Sequence, residues 1–264
     1  MDQTISMILK IFKTITNFFN KNKMIPLDNG LFLKVDNSML WAFENGRYYE
    51  YELEAFLLDY LTKMEDVIFY DIGANNGYYT VKFNKLFKRT IAFEPNTTLV
   101  NLINHNLKIN NIFNSHVFNL ALSDAKAELP FYFYSSTGNN SLFKRKLPIG
   151  HNLKLKYVKN ILVNRLDAII VEHSLTAPTV MKIDVEGAEL SVLRGASETL
   201  SNSRPDLIIE MSNETFGDAG YNCNDLVDFL KDYGYKFYDL KMNPLLFDMD
   251  HLIIYSGNVF CTIK

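Results

Sequence analysis

Five short apolar runs in this chain each end at an acidic residue, and helical patterns follow most of them. The five carboxylates, in chain order, are Asp71, Glu94, Asp124, Asp184 and Glu210. Continuous apolar strands that alternate with helices predict a parallel sheet covered by helices on both faces. Because ligands of such sheets bind where the strands end, we expect these carboxylates to gather along one edge of the sheet.

The composition is that of a single folded unit. The 264 residues are 48% hydrophobic and 22% charged, which excludes intrinsic disorder as the main state of the chain. The formal net charge of −3 does not suggest a nucleic-acid partner. We expect an N-terminal helix and hairpin extension over residues 1–60. An α/β domain follows over residues 61–264, with a basic insertion at about 125–165.

The N-terminal 23 residues predict a basic amphipathic helix. Apolar side chains recur there at steps of three and four, and no acidic residue follows Asp2. Lys10 and Lys13 interrupt what would otherwise resemble a signal peptide. Such a helix docks on its own domain, on a second copy or on an anionic membrane, and the sequence leaves these three open. With only Cys223 and Cys261 in the chain, we expect a cytoplasmic protein, with peripheral attachment to a membrane as the alternative.

Local patterns predict the smaller elements. Weak alternation indicates a hairpin over residues 31–43, and a helix is expected over residues 51–61. The third apolar run is predicted as one strand over 117–122, and a single helix over 188–200. The C-terminal segment 252–263 reads as two strand halves around Ser256-Gly257-Asn258.

The first strand is followed by a glycine loop, Asp71-Ile72-Gly73-Ala74-Asn75-Asn76-Gly77. The loop lacks the full dinucleotide pattern, and an acid before the glycines suits a cationic amino group better than a pyrophosphate. Glu94 follows at the distance where an acid pairs with ribose hydroxyls. A ligand with a cationic end and a ribose but no phosphates indicates S-adenosylmethionine. Ser123 and Asp124 are expected near its adenine, although Asp124 could equally close an Asx turn.

Several blocks resemble the FkbM family of S-adenosylmethionine-dependent methyltransferases, over residues 66 to 213. The matching blocks are Phe69 to Thr80, Ala92 to Asn96, Asn139 to Leu142, Lys182 to Glu189, Leu193 to Ala196 and Pro205 to Glu210. The resemblance implies a class I methyltransferase sheet of about seven mostly parallel strands, the last one antiparallel. It also implies methylation of hydroxyl oxygens, often on sugars or secondary metabolites.

The site residues expected from these patterns fall into two groups. The cofactor is expected to contact Asp71, Gly73, Ala74, Asn75, Gly77, Tyr78, Glu94, Pro95, Ser123, Asp124 and Asp184. The catalytic group is Asp184, Lys182, Glu186 and Glu210. Asp184 is the first candidate for the general base, with Glu210 second, and Lys182 would stabilise negative charge on the acceptor oxygen. For Glu189 we favour a structural role at the start of a helix.

Two features leave the chemistry open. The carboxylates of Asp184, Glu186 and Glu210 are hard ligands of the kind that Mg²⁺ prefers, but a required metal is not favoured. Residues 144–165 carry seven basic side chains and no acid, which favours either a solvated strand face or a rim for an anionic acceptor.

The function predicted is methyl transfer to a hydroxyl of a sugar, glycan or glycolipid. The alternatives are a non-catalytic scaffold that binds S-adenosylmethionine and, less favoured, a nicotinamide-dependent oxidoreductase.

Overall fold

The computed structural model describes residues 24–46, 50–147, 151–247, 253 and 255–264. Its strands are β1 (Met24–Pro26), β2 (Phe32–Lys34), β3 (Ile68–Ile72), β4 (Arg89–Phe93), β5 (Ser115–Phe118), β6 (Ala121–Leu122), β7 (Ala127–Tyr134), β8 (Leu155–Asn164), β9 (Val180–Ile183), β10 (Asp206–Ser212), β11 (Lys236–Tyr238) and β12 (Ser256–Thr262). Its α-helices are α1 (Tyr51–Leu61), α2 (Tyr78–Lys82), α3 (Thr97–Ile109), α4 (Leu166–Glu172), α5 (Glu189–Arg194), α6 (Ser197–Asn202), α7 (Asn213–Ala219) and α8 (Cys223–Asp232). Short 3₁₀ helices cover Asn37–Gly46, Asn84–Leu86 and Thr137–Asn139.

The central sheet has seven strands within the described ranges, in the order β11-β12-β10-β9-β3-β4-β5. Strands β3, β4, β5, β9 and β10 run parallel to their neighbours in this group. Strand β12 is antiparallel to both β10 and β11. The prediction of a class I methyltransferase sheet with an antiparallel last strand is confirmed.

Buried apolar side chains form one core on each face of this sheet. On one face, the core takes side chains from α4, α5, α6, α7 and α8. On the other face, it takes them from α1, α2, α3 and the segment that contains β2. Leu33, Leu53 and Leu57 are fully buried in the second core. The described part of the N-terminal extension therefore completes one layer of the α/β domain.

The predicted hairpin lies earlier in the chain than expected. Strands β1 and β2 pair antiparallel, whereas most of the segment 31–43 beyond β2 is a 3₁₀ helix. The Asp36 carboxylate accepts hydrogen bonds from the N–H and hydroxyl of Ser38, which starts the helical turn. The prediction of a hairpin over 31–43 was wrong because this local side-chain bond stabilises a turn where the alternation suggested a strand.

The third apolar run forms two strands instead of one. Strand β5 ends at Phe118, and the Asn119 side chain donates to the carbonyls of Glu94 and Pro95 and turns the chain. Ala121–Leu122 then forms β6, which pairs with β8 in a separate three-stranded sheet, β6-β8-β7. The prediction of one strand over 117–122 was therefore wrong.

The predicted helix over 188–200 consists of two helices, α5 and α6. The buried carboxylate of Asp167 accepts from the N–H groups of Glu198 and Thr199, so a new N-terminus begins there. Near the C-terminus, β12 is a single strand and contains Ser256 to Asn258, which sequence analysis had placed between two halves.

One prediction concerns residues that the structure does not describe. The amphipathic helix expected over residues 1–23 lies outside the described residues. In the part of the chain that the structure describes, no helix is long and apolar enough to cross a membrane.

Candidate active site

A cavity opens at the carboxyl ends of β3, β4, β9 and β10. Its wall includes the predicted site residues Gly73, Ala74, Asn75, Tyr78, Glu94, Pro95, Lys182, Asp184, Glu186 and Glu210. Four of the five strand-end carboxylates lie at or just behind this edge, as the alternation of strands and helices predicts.

The glycine loop is folded tightly against the end of β9. Gly73 has a φ of +84°, and a Cβ at this position would lie 1.8 Å from the carbonyl oxygen of Asp184. The N–H groups of Gly73 and Ala74 both donate to the Phe93 carbonyl. Only glycine allows this close approach, so Gly73 brings the ends of β3 and β9 together in one wall of the cavity. Gly77 lies behind the loop, against Ile103.

Asp71 lies behind the cavity wall instead of in it. The side chain is buried, and the Thr80 hydroxyl donates to its Oδ2 at 2.6 Å. Its Oδ1 is buried and has no hydrogen-bond partner among the described residues. Burial raises the pKa of Asp71, and the nearby Lys182 ammonium partly opposes the rise. This unpartnered oxygen is a free acceptor beside the glycine loop.

Glu94 is a buried carboxylate in the wall. Its two oxygens accept the backbone N–H groups of Asn75 (2.9 Å) and Asn96 (2.8 Å). Burial raises its pKa to about 7, and those two hydrogen bonds limit the rise. Since each carboxylate oxygen can accept a second hydrogen bond, Glu94 retains acceptor capacity toward the cavity.

Ser123 and Asp124 do not line the cavity, contrary to the sequence expectation. The Ser123 N–H donates to the Asn164 carbonyl, and Asp124 is exposed. Because the chain turns after β5, Leu120, Ala121 and Leu122 stand in the wall at this strand end instead. Beyond the end of β5, the cavity wall is therefore lined by apolar residues.

The carboxylates of Asp184, Glu186 and Glu210 form a cluster whose oxygens lie within 4.8 Å of one another. The Lys182 ammonium lies 2.6 Å from Asp184 Oδ2 and is itself almost fully buried. Burial would raise the pKa of Asp184, but the Lys182 charge and a hydrogen bond from Glu210 hold it below its usual range. The Asp184 charge and burial together raise the pKa of Glu210 well above its usual value. The two pKa values are thus shifted in opposite directions, and Asp184 is the carboxyl of the pair that favours the ionised form.

Glu186 belongs to the same cluster but has a cationic partner of its own. Burial and the Asp184 charge raise its pKa to about 8, while Arg145 limits the rise. The Arg145 Nη1 lies 2.8 Å from Glu186 Oε2. Glu186 has a positive φ of 56°, which fits a tight turn directly after β9.

Glu189 has the structural role that the sequence favoured. It is the first residue of α5, and its carboxylate accepts the N–H groups of Val185 and Gly187. Burial raises its pKa to about 7. Glu189 therefore holds the loop that presents Asp184 and Glu186.

A segment that sequence analysis did not assign to the site closes one side of the cavity. We call residues 135–147 the strap. Thr137, Gly138, Asn140 and Leu142 of the strap line the cavity. The Ser141 hydroxyl donates to the Glu186 carbonyl at 2.7 Å. The Asn139 to Leu142 block already stood out in the sequence, but nothing in its residue types predicted a covering role.

Arg145 fastens the strap. Its side chain is 7% exposed and reaches Glu186, Glu214 (3.0 Å) and Asp218 (3.0 Å). Glu214 and Asp218 lie on α7, so one guanidinium joins the strap, the β9 loop and a helix. The sequence analysis placed Arg145 in a basic segment that was either solvated or a rim for an anionic acceptor. For Arg145 this was wrong, because its side chain is buried in ion pairs.

Met39 and Phe43 add a wall that sequence analysis also missed. They belong to the 3₁₀ helix of the N-terminal extension and line the cavity opposite the strand ends. Gly138 of the strap lies against Met39, where a Cβ on the glycine would be 3.3 Å from the Met39 sulfur. The extension is thus part of the site.

The site and the sheet together define a methyltransferase-type α/β domain. The model of the methyltransferase FkbM domain matches residues 71–237. That match covers more than half of the chain, and the chain belongs to the FkbM methyltransferase family. The oxidoreductase alternative is not supported by this assignment.

Curated relatives are distant and longer than the matched region. The chain is 25% identical over 235 residues to AMB antimetabolite synthetase AmbE of Pseudomonas aeruginosa, across 77% of this chain and 11% of that protein. It is 25% identical over 163 residues to Methyltransferase 1 of Beauveria bassiana, across 56% of this chain and 65% of the relative. The chain thus spans less than two thirds of the length of these relatives. A crystal structure of methyltransferase FkbM from Methylobacillus flagellatus aligns with 19% identity and a TM-score of 0.49, across 96% of this chain and 60% of the other.

Proposed function

We propose that the chain transfers a methyl group from S-adenosylmethionine to a hydroxyl oxygen, with a sugar, glycan or glycolipid as the acceptor. The observation that carries the proposal is the pair of acidic positions at the cavity edge. Glu94, at the end of β4, can accept further hydrogen bonds from a ligand. The ionised Asp184, at the end of β9, faces the same cavity.

The residues present fit this cofactor. The free Oδ1 of Asp71 supports a role toward an amino group, directly or through a water. Glu94 suits a pair of ribose hydroxyls, and Leu120 to Leu122 suit a flat heterocycle. Gly73 and Ala74 allow close approach of the backbone. When bound, the cofactor supplies an electrophilic methyl group.

The chain's own contribution is to place the acceptor oxygen and take up its proton. Asp184 is ionised and accepts a hydrogen bond from the acceptor hydroxyl, and then its proton. Because Lys182 lowers the pKa of Asp184, the proton moves late, when bond formation has made the hydroxyl acidic. Lys182 stays charged throughout and stabilises negative charge on the oxygen. Positioning inside a cavity closed by the strap supplies a further share of the acceleration.

A divalent cation is the competing use of the carboxylate cluster. Asp184, Glu186 and Glu210 have a spacing that could hold a metal ion. Lys182 and Arg145 already lie 2.6 Å and 2.8 Å from two of these carboxylates and offset their charge. We therefore assign the cluster to proton transfer and to positioning of the acceptor.

The first experiment is a calorimetric titration with S-adenosylhomocysteine, with nicotinamide dinucleotides in parallel. We expect micromolar binding of S-adenosylhomocysteine that weakens at least about tenfold in Glu94→Ala. The matched control is Glu65→Ala, which removes an exposed carboxylate just before β3. Binding of a dinucleotide, or of neither compound by folded protein, would contradict the proposal.

The acceptor class is tested with S-adenosylmethionine carrying a labelled methyl group. A methyl ether on a hydroxyl survives alkali, whereas a methyl ester on a carboxylate is released as methanol. We expect alkali-stable label on a carbohydrate fraction. Cofactor binding without any transfer in single-turnover reactions would favour the non-catalytic scaffold.

A further inference from the structure

Strand β8 carries an exposed stretch in which basic and apolar side chains are interleaved on both faces of the strand. Lys154, at the position before the strand, and Lys156 and Lys159 within it are all exposed. Four large apolar side chains of the same stretch are also exposed: Leu155 (42%), Tyr157 (52%), Val158 (46%) and Leu162 (61%). We call residues 154–162 the β8 ribbon. An exposed apolar cluster of this kind on a folded domain marks an interaction surface.

The charge of the β8 ribbon is opposite to that of the whole chain. Residues 144–165 contain no acidic residue, whereas the chain has a formal net charge of −3. Strand β7, which pairs with β8, has one carboxylate, Glu128, and it faces Leu162 at the end away from the lysines. The partner of this surface must therefore be anionic as well as able to cover apolar side chains.

A second copy of the chain does not meet these requirements. In a two-fold symmetric dimer, the same patch would face itself, and Lys154, Lys156 and Lys159 would lie against like charges. Strand β7 forms one edge of this sheet and carries Pro130 near its middle, which disfavours pairing with a second copy at that edge. A hydrated polyanion would satisfy the lysines but would leave the apolar side chains in water.

We propose that the β8 ribbon docks the protein on an anionic lipid bilayer. Lysines attract acidic headgroups, and apolar side chains beside them enter the interface between headgroups and acyl chains. The partner strand β7 supplies Phe131 to the cavity wall, and the strap follows β7 directly. Docking through the β8 ribbon therefore brings the wall of the cavity close to the lipid surface. The inference does not depend on which acceptor is methylated.

The test measures co-sedimentation of the full chain with vesicles of phosphatidylcholine alone and of phosphatidylcholine with phosphatidylglycerol. We expect binding only to the anionic vesicles, and weaker binding at higher salt. Each lysine near an anionic surface contributes about fivefold to the partition coefficient, so Lys154→Glu, Lys156→Glu and Lys159→Glu together should weaken binding by about 100-fold or more. The matched control changes Lys85, Lys231 and Lys241, which are exposed elsewhere, to Glu and should retain most of the binding.

A second variant separates insertion from charge attraction. The triple change Leu155→Ser, Val158→Ser and Leu162→Ser keeps all three lysines and should weaken binding at least about tenfold. Replacing the three lysines with arginine should preserve it. Circular dichroism and the melting temperature show that each variant is folded. The proposal is overturned if wild-type protein does not bind anionic vesicles. It is equally overturned if binding survives either the glutamate or the serine variant.

Discussion

Asp184 and Glu210 are neighbouring carboxyls on adjacent strands that divide one proton unequally. Lys182 stabilises the charge of Asp184, and that charge in turn raises the pKa of Glu210. Coupled carboxyls of this kind titrate as a pair. In the proposed reaction, Asp184, which Lys182 contacts, accepts the proton of the acceptor hydroxyl, while Glu210 donates a hydrogen bond to Asp184.

This division predicts different effects of two isosteric changes. Asp184→Asn removes the proton acceptor and should lower kcat by about 10²- to 10⁴-fold. Glu210→Gln keeps a hydrogen-bond donor next to Asp184 and should lower kcat by less than about tenfold. The measurement is methyl transfer from labelled cofactor to the acceptor that the screen identifies. If Glu210→Gln is the more damaging change, Glu210 is the base and our assignment is reversed.

Gly73 is the second residue whose identity the geometry demands. In Gly73→Ala the new Cβ would meet the Asp184 carbonyl, and the positive φ adds about 1–2 kcal/mol of backbone strain. We expect loss of S-adenosylhomocysteine binding by about 100-fold or more and a lower melting temperature. Gly217→Ala, in α7 with no heavy atom within 4 Å of the new Cβ, is the control and should be neutral or slightly stabilising. A Gly73→Ala variant with wild-type binding would show that the loop can shift away from β9.

At the scale of elements, one side chain of the strap, Arg145, forms ion pairs with two different parts of the fold. Arg145 is 7% exposed and Asp218 is 5% exposed, so their ion pair is shielded from water and salt. Removing one member of such a pair leaves an uncompensated buried charge, which costs about 3–5 kcal/mol. This ion pair therefore helps to hold the strap over the cavity, together with the hydrogen bond from Ser141 to Glu186 and those from Lys146 to α7.

We therefore expect Arg145→Met to open the strap. Limited proteolysis should cleave within residues 135–147 faster than in the wild type, and KM for the cofactor should rise more than kcat falls. Lys144→Met, an exposed neighbour, is the control and should change neither. Equal cleavage rates in the two variants would mean that the Ser141 hydrogen bond to Glu186 is sufficient to hold the strap.

An element could be predicted from the sequence when the pattern that forms it is local, and not when it depends on contacts between distant residues. The strands β3, β4, β9 and β10 are continuous apolar runs, and their ends and carboxylates were predicted to within a few residues. The division of the third run depends on Asn119, whose side chain reaches carbonyls 24 and 25 positions earlier. Likewise, α6 begins where it does because of Asp167, 31 positions before Glu198. Contacts at that separation leave no periodic signal in the sequence.

The same distinction applies to the candidate site. Glu94, Asp184 and Glu210 follow strands and could be placed from the pattern, since parallel strands end at one edge. Met39 and Phe43 come from outside the alternating strands and helices, and their place in the wall depends on how the extension packs. Arg145 could not be separated from the neighbouring lysines, because burial and not charge distinguishes it.

At the scale of the whole molecule, the site concentrates acidic groups whose charged forms are disfavoured. Five carboxyls have raised pKa values, chiefly through burial and the charge of Asp184: Asp71, Glu94 (about 7), Glu186 (about 8), Glu189 (about 7) and Glu210. The folded state holds protons on these groups at pH values where the unfolded chain has released them. Three groups act in the opposite sense, since Asp184, His116 and the exposed Asp239 have lowered pKa values, and the two aspartates titrate only in acid.

Taken together, these pKa shifts predict that the free energy of unfolding falls as pH rises from about 5 to about 8. A carboxyl with a raised pKa binds more protons in the folded state, so each contributes a negative slope of up to about 1.4 kcal/mol per pH unit between its unfolded and folded pKa values. Asp184 acts only below about pH 4. His116 opposes the trend only near and below pH 6.5, and it is a single, largely exposed group.

We therefore expect urea denaturation to give a free energy of unfolding about 2 kcal/mol or more lower at pH 8.0 than at pH 5.5. The double variant Glu94→Gln and Glu189→Gln should flatten this slope, because glutamine releases no proton. A free energy that is constant or rises over this range would mean that these carboxyls are ionised in the folded protein, and that water or a cation reaches the cluster.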